Sequence, residues 1–343
     1  MKVNKLLLAS LLLIIFFLAS CKENEPIIKP EIPLIELAYS DSPIELQGVE
    51  ARFVEDLFYD QYSKTNFDIY LPNSSTPTAL VIFIHGGGFT GSDKQFIYSG
   101  EYTEQISEFL ANDVAVATIN YRLLEKNESE GVLKSLHDSK RAIQYIRYLH
   151  KELNIDKERI VLFGTSAGGS TALWLATHDD FKDESHIDPV LHESSRVKGI
   201  ALWATQSSLD IEGRWLGDVF DEFGSTLEDI IEKFGEETFF NFYGINSWEQ
   251  YTSPEIAQYR REVDMLAHLS TDDPEIWVTN TGGHNLTPES SSSFNHHPFH
   301  ARELKEYADA ASVPIVTTYG KPLIYSDAAN EDFVDFLLRK LNE

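Results

Sequence analysis

The sequence predicts an α/β fold in which a mainly parallel central sheet carries helices on both faces. Several short segments, such as residues 79–84 and 114–119, are continuously apolar, as strands buried on both faces are. They alternate with helical patterns, of which residues 133–153 form the longest, with apolar positions at helical spacing. Repeated strand–helix–strand units of this kind build parallel sheets covered by helices.

The same alternation gives the order of the elements along the chain. The predicted strands are residues 47–58, 66–71, 79–84, 114–119, 160–163, 197–203, 275–279 and 314–318. The predicted helices are residues 102–110, 133–153, a segment after residue 166 that includes Leu173 and Leu175, and residues 300–310 and 331–341. Residues 156–159 are expected to form a turn between the long helix and the strand that follows it.

The N-terminus has the pattern of a secretory signal. Lys2 and Lys5 precede an apolar run over residues 6–19, which is short for a membrane span but suits a signal-peptide core. Residues 18–21, Leu-Ala-Ser-Cys, resemble the lipobox of bacterial lipoproteins, in which the cysteine is lipidated and begins the mature chain. A plain signal peptide with an incidental cysteine, or a short anchor, is the alternative.

This resemblance implies a signal peptide over residues 1–20 and a lipid on Cys21 that attaches the chain to a membrane. A tether over residues 21–44 and a folded domain over residues 45–343 would follow. The expected location is the bacterial cell envelope, at the outer membrane or the cell surface. Because Cys21 is the sole cysteine, the mature chain has no thiol for a disulfide or a metal.

The formal charge of −27 makes a nucleic-acid partner improbable, since such an acidic surface repels phosphates. Residues 207–269 interrupt the strand–helix rhythm and are rich in aromatic and acidic residues. Their length suits a cap-like insertion over the carboxyl edge of the sheet. Residues 290–293 are four consecutive serines, the one stretch of low-complexity sequence.

A serine motif lies between a predicted strand and a predicted helix. Residues 164–168 read Gly-Thr-Ser-Ala-Gly, which matches G-x-S-x-G with Ser166 at its centre. A sharp turn would hold this serine in a strained conformation and project its hydroxyl from the top of the sheet, where it can act as a nucleophile. The alternative is an ordinary glycine-rich turn.

A second motif, His85-Gly86-Gly87-Gly88, directly follows the predicted strand 79–84. The three glycines lack side chains, so their N–H groups can approach a substrate oxygen. Together with the N–H of Ala167 they would form an oxyanion hole for a tetrahedral intermediate. His85 is a candidate substrate-binding residue, and a flexible loop is the alternative interpretation.

These two motifs resemble those of the α/β-hydrolase family, in its esterase/lipase group with an H-G-G-G loop. Residues 120–123 and 159–161 are similar to the same group, and the resemblance covers about residues 46–341. It implies an α/β-hydrolase fold and carboxylester hydrolysis through an acyl-serine, without a metal or an organic cofactor. Within the group, the chain looks most similar to esterases acting on acetylated or feruloylated polysaccharides. The implied substrate is a small-molecule or polysaccharide ester.

The sequence departs from the family pattern at the acid and the base. The stretch 275–284 contains no aspartate in the usual place, and no histidine follows His300. A serine hydroxyl needs a base within hydrogen-bond reach. The candidate bases are therefore His284, His296 and His297, and the candidate acid is Asp210.

Two alternatives to this assignment stay open. The fold could persist without efficient catalysis, as a ligand-binding or scaffold protein. The histidines near residue 297 also suit capping, packing or zinc, but no carboxylate or cysteine joins them at a recognisable ligand spacing, so no metal site is predicted.

The aromatic residues of the insertion have two interpretations. Trp203 and Trp215 are the candidates for stacking on a sugar or aryl group of the substrate. The other aromatic side chains are expected to form the hydrophobic core of the insertion itself: Phe220, Phe239, Phe240, Phe242, Tyr243 and Trp248.

Overall fold

The computed structural model describes residues 35–100, 102–327 and 331–343. The predicted signal peptide, Cys21 and the tether up to residue 34 lie outside the described residues. Within those ranges, no helix is both long enough and apolar enough to cross a membrane.

Within the described residues, one sheet of nine strands forms the centre of the fold, in the order β1-β2-β4-β3-β5-β6-β7-β8-β9. The strands from β4 through β8 in this order pair in parallel, whereas β1, β2 and β9 pair antiparallel at the two edges. The mainly parallel sheet is therefore confirmed. The strands are β1 Ala51–Phe58, β2 Asn66–Pro72, β3 Thr78–Ile84, β4 Val114–Ile119, β5 Ile155–Thr165, β6 Gly199–Trp203, β7 Glu275–Asn280, β8 Ile315–Tyr319 and β9 Tyr325–Ser326.

Helices cover both faces of this sheet. On β3, Leu80 and Ile82 join the hydrophobic core under one helical layer, whereas Val81 and Phe83 join the core under the other. This alternation explains why residues 79–84 of β3 are all apolar. The first layer contains α2 Val132–Tyr148, α3 Ala167–Thr177 and α10 Phe299–Ala311, and the second contains α1 Tyr102–Ala111 and α11 Phe333–Asn342.

The boundary between α2 and β5 differs from the prediction. The helix ends at Tyr148 rather than at residue 153, and a turn with Asn154 at φ 51° leads into β5. Thr78 pairs with Ile155 and Leu80 with Ile160, so the strand bulges over the residues predicted as a turn. The polar turn and the strand are thus one element.

Between β6 and β7 the chain forms a series of short helices above the carboxyl ends of the strands. They pack around their own hydrophobic core, which includes Trp215, Phe220 and Phe239 and also takes in Phe294 and Phe299 from beyond β7. We call this segment the cap. Its helices are a π-helix Ile211–Val219, a 3₁₀ turn Asp221–Phe223, α4 Leu227–Phe234, α5 Glu236–Tyr243, α6 Trp248–Tyr251, α7 Pro254–Glu262 and α8 Met265–His268.

Candidate active site

Ser166 lies at a sharp turn between β5 and α3. Its backbone has φ 52° and ψ −120°, in the region that side-chain-bearing residues rarely adopt. The strained turn is held by a hydrogen bond from the Ser166 N–H to the carbonyl oxygen of Trp203, at 2.8 Å. The residue after the serine begins α3, so the hydroxyl lies at the N-terminus of a helix.

Glycines let three segments meet around this turn. A Cβ on Gly168 would lie 2.0 Å from the carbonyl oxygen of Ile84, and one on Gly164 would lie 2.3 Å from the carbonyl oxygen of Gly168. A Cβ on Gly86 would lie 2.8 Å from the carbonyl oxygen of Thr165. The motif and the glycine loop therefore lie in direct contact, which side chains at these positions would prevent.

The glycine loop presents main-chain donors beside Ser166. Gly86 is buried, whereas Gly87 and Gly88 are exposed, with φ of 101° and 60°. Among the described residues, no acceptor receives the N–H of Gly87 or Gly88. Ala167 is the first residue of α3, where N–H groups have no partner within the helix. The arrangement thus leaves free donors in the glycine loop and at the start of α3, next to the serine.

His85 does not line this site. It is 1% exposed, stacks on Tyr121 with ring centroids 4.3 Å apart, and its Nδ1 lies 2.7 Å from the carbonyl oxygen of Gly86. Tyr121 donates its hydroxyl hydrogen to the His85 carbonyl oxygen at 2.8 Å. The expectation that His85 contacts substrate is therefore corrected, because its ring supports the glycine loop from below.

Of the three candidate bases, His296 is the one that reaches the serine. Its Nε2 lies 2.9 Å from Ser166 Oγ. His296 ends the one-turn helix α9 Ser291–Asn295, and its N–H donates to the Ser292 carbonyl oxygen at 3.0 Å. Burial lowers the pKa of His296 below its ordinary value, so the imidazole is neutral and can accept a proton at neutral pH.

The other histidines lie elsewhere. His297 is fully buried, with Nε2 3.1 Å from the Leu286 carbonyl oxygen and Nδ1 accepting the Phe299 N–H, and burial lowers its pKa to about 4. His284 is exposed on the loop after β7. Neither contacts Ser166. His297 follows His296 directly, and consecutive residues at the end of a helix project in different directions.

The candidate acid, Asp210, does not contact His296. Asp210 caps the π-helix through the Gly213 N–H and binds Arg260 through Nε at 2.7 Å. This ion pair holds the cap together and does not reach a candidate base. Among the described residues, the hydrogen-bond partner of His296 Nδ1 is the hydroxyl of Ser292, at 3.4 Å.

Two side-chain amides that the sequence analysis did not single out hold α9 in place. Gln206 Nε2 donates to the Asn295 carbonyl oxygen at 2.7 Å, and its Oε1 accepts from Ser170 of α3 at 2.7 Å. Asn280, at the end of β7, donates to the carbonyl oxygens of Thr205 and His297. Neither residue belongs to a recognisable motif. Both lie at the carboxyl edge of the sheet, where Gln206 follows β6 and Asn280 is the last residue of β7.

Two cavities meet at Ser166. The narrow cavity, of about 60 Å³, lies under the cap and is lined mainly by apolar side chains, including Ile230, Phe239 and Trp215. The wide cavity, of about 550 Å³, opens to solvent and includes the glycine loop, His296 and Ser292. Of these two cavities, His296 lines only the wide one, whereas Ser166 lines both.

The two tryptophans predicted to contact substrate lie on different cavities. Trp203 is half-buried and lines the wide cavity beside Phe96 and Tyr102. Trp215 is 3% exposed, donates to the Ser208 carbonyl oxygen at 2.7 Å and forms part of the cap core and of the narrow cavity. Across the described residues, no group of three or more His, Cys, Asp or Glu side chains is placed to hold a metal ion.

Comparison with known proteins points to ester hydrolases. Residues 67–213, less than half of the chain, match the family described as BD-FAE. The chain is 35% identical over 108 residues to esterase LipU of Mycobacterium tuberculosis, covering 31% of this chain and 32% of that protein. It is 34% identical over 104 residues to an arylesterase of Saccharolobus solfataricus, covering 30% and 31%. The chain thus spans about a third of the length of these relatives.

The fold extends over much more of the chain than the sequence matches do. A truncated carbohydrate esterase from gut microbiota superimposes with a TM-score of 0.62 and 17% identity, covering 85% of this chain and 96% of that one. The chain has the α/β-hydrolase fold. This confirms the predicted fold class, with the serine turn at the carboxyl edge of the parallel strands.

Proposed function

We propose that this protein is a serine carboxylesterase that cleaves acyl esters, including those of carbohydrates, through an acyl-serine intermediate. The observation that carries the proposal is the 2.9 Å distance between Ser166 Oγ and His296 Nε2, next to the unpaired N–H groups of Gly87 and Gly88. A hydroxyl, a neutral base and free donors in one place are what acyl transfer requires.

The proposed reaction begins when His296 Nε2 takes the proton of Ser166 and Oγ attacks the acyl carbon. The N–H groups of Gly87, Gly88 and Ala167 stabilise the oxygen anion that forms. The bond between carbon and the alcohol oxygen then breaks, and His296 returns its proton to that oxygen. Water repeats the sequence on the acyl-serine and releases the acid.

The two cavities assign the two halves of the ester. Because His296 must protonate the leaving alcohol and lines only the wide cavity, the alcohol belongs there. The acyl group then occupies the narrow cavity, whose volume of about 60 Å³ is less than half of the roughly 150 Å³ of a cavity that holds one benzene ring. We therefore propose a short acyl group, such as acetyl, on a large alcohol.

The wide cavity supports a carbohydrate as that alcohol. It is open, it has room for more than one ring, and the aromatic side chains of Phe96, Tyr102 and Trp203 line it. Aromatic rings stack well on the apolar faces of sugar rings. The carbohydrate esterase named above, which shares the fold, acts on this class of substrate according to its name.

One observation favours a second candidate function. In the described part of the chain, a hydroxyl and no carboxylate bonds to His296 Nδ1. A triad whose carboxylate is replaced by an amide loses about 10⁴ in kcat. The second candidate is therefore a catalytically impaired relative that binds a ligand or acts as a scaffold.

A fluorophosphonate probe separates the two functions. We expect labelling of the wild-type protein, no labelling of Ser166→Ala and strongly reduced labelling of His296→Ala. His284→Ala, which changes an exposed histidine outside the site, is the matched control and keeps wild-type labelling. Absence of labelling that depends on Ser166, in a protein that binds acetylated oligosaccharides, would instead support the binding function.

We also propose that Cys21 carries a lipid that anchors the enzyme in the bacterial cell envelope. The support is the Leu-Ala-Ser-Cys sequence after an apolar run. Metabolic labelling with an alkyne fatty acid in a bacterial host tests it. Label on the wild-type protein and none on Cys21→Ala is the expected result, whereas equal labelling of both would contradict the anchor.

A further inference from the structure

Within the four serines at residues 290–293, Ser292 has a different environment from Ser290 and Ser293. Ser290 caps α9 by accepting the Ser293 N–H, and the Ser293 hydroxyl contacts the Ser290 N–H in return. This reciprocal cap stabilises a helix that has little more than one turn. Ser292 takes no part in the cap, is exposed and lines the wide cavity.

The position of Ser292 relative to His296 is set by helical spacing. They are four positions apart, so the two side chains lie on the same face. The Ser292 carbonyl oxygen accepts the His296 N–H at 3.0 Å, and the Ser292 hydroxyl lies 3.4 Å from His296 Nδ1. One residue therefore contacts both the main chain and the ring of the base.

The tautomer of the ring follows from its two contacts. For Ser166 to donate its hydroxyl hydrogen to His296, Nε2 must be unprotonated, so Nδ1 carries the hydrogen. That hydrogen needs an acceptor, and the one within reach among the described residues is the Ser292 hydroxyl. Glu289 is the sole carboxylate in residues 281–298, and no charged group contributes to the pKa of His296.

We propose that Ser292 is a positioning residue that replaces the acid of the usual triad, holding the His296 ring by accepting its Nδ1–H. This inference rests on the proposed esterase function. A neutral hydroxyl fixes the tautomer and the orientation of the ring, but it does not stabilise the imidazolium as a carboxylate does. At 3.4 Å this hydrogen bond is long, and catalytic contacts of this kind tighten in the reacting complex.

Substitutions of an exposed residue test this proposal without disturbing the core. The hydrolysis of 4-nitrophenyl acetate is followed from pH 4 to 9 for the wild type, Ser292→Ala, Ser292→Thr and Ser292→Asp. Ser292→Ala should lower kcat about tenfold or more, since orientation of the base contributes at least that much, while KM and Tm stay unchanged. Ser292→Thr, which keeps the hydroxyl, should retain most of the activity.

Ser292→Asp tests whether Ser292 acts on the His296 ring, because the pH dependence of kcat/KM would not change if Ser292 had a purely structural role. A carboxylate beside Nδ1 raises the pKa of His296, so the acidic limb of kcat/KM should move up by about one pH unit or more. Glu289→Gln is the matched control and should leave the profile in place. An active wild type with an unchanged kcat in Ser292→Ala, or an unmoved limb in Ser292→Asp, overturns the role of Ser292 alone. A wild type without Ser166-dependent activity overturns the esterase function as well.

Discussion

Gln206 connects α3 to the segment that carries His296, because its amide donates to the Asn295 carbonyl oxygen at 2.7 Å and accepts from Ser170 of α3. Asn295 immediately precedes His296. The side chain of Gln206 is 4% exposed, so both contacts are shielded from water. The distance between Ser166 and His296 therefore depends on a residue that takes no part in the chemistry.

We expect Gln206→Ala to lower kcat/KM more than tenfold, because the α9 segment loses its link to α3 and catalysis is sensitive to small displacements. Two buried groups would also lose partners, at a cost of about 1–3 kcal/mol of unfolding free energy. Steady-state kinetics and urea unfolding measure the two effects. Exposed Gln61→Ala is the control, and equal activity of both variants would contradict the connecting role.

The acid side of the pH profile follows from the burial of His296. Burial lowers its pKa below the ordinary value of about 6.5, and the neutral ring is the reactive form. The base therefore stays unprotonated as the pH falls through 6.5 and is lost only at lower pH. We expect kcat/KM to be flat from pH 8 to below 6.5. A midpoint above 6.5 would mean that a carboxylate acts on the ring.

Tyr121→Phe tests the support of the glycine loop. The buried hydroxyl contacts the carbonyl oxygens of His85 and Gly86 at 2.8 and 3.3 Å. Its removal should cost about 1–3 kcal/mol of unfolding free energy, because a buried carbonyl loses a donor. The loop is also expected to hold its N–H groups less firmly, so kcat should fall while KM changes little. An unaltered kcat in a destabilised variant would limit Tyr121 to a structural role.

Gly168→Ala should prevent the serine turn from forming properly. The added Cβ would lie 2.0 Å from the Ile84 carbonyl oxygen, which belongs to a central strand and cannot move away. The expected loss is about 3 kcal/mol of unfolding free energy, as for an overpacked core. Gly217→Ala, where a Cβ meets nothing within 4 Å, should instead be neutral or gain about 0.5 kcal/mol. Thermal unfolding of the two variants compares them directly.

Under the proposed esterase function, the narrow cavity predicts which acyl chains are preferred. Esters of acetate should be cleaved faster than those of hexanoate, because about 60 Å³ does not hold six carbons. Ile230→Ala and Phe239→Ala should move the preference toward longer chains, since both truncations enlarge the cavity. A series of 4-nitrophenyl esters measures kcat/KM. Phe96→Ala, which changes the wide cavity, should leave the chain-length order unaltered.

The sequence predicts the fold and the position of the serine turn well because both depend on local patterns. Residues 79–84 of β3 and 160–163 of β5 are continuous apolar runs, and Gly86 and Ser166 lie in motifs that closely follow these runs. The predicted ends of α2 and β5 are less accurate, because the polar residues 156–159 form a bulge between Ile155 and Ile160, which both pair with β3. That pairing depends on the neighbouring strand and leaves no signal within the segment.

The base and its partners were less predictable because they depend on contacts between distant parts of the chain. His296 and His297 are adjacent in sequence, yet one reaches Ser166 and the other is fully buried. Asp210 was a reasonable acid by position, but Arg260 binds it. The spacing of four between Ser292 and His296 was the available signal for Ser292, and it lay in a stretch that looked like simple repetition.

Phe294 links the cap to His296. It lies two residues before the base and is buried among cap side chains, with its ring 5.0 Å from Phe220. The position of His296 consequently depends on the packing of the cap. Shortening or replacing the cap to admit other esters would therefore displace His296. Redesign of selectivity has to keep the contacts of Phe294 and change cap residues that do not touch it.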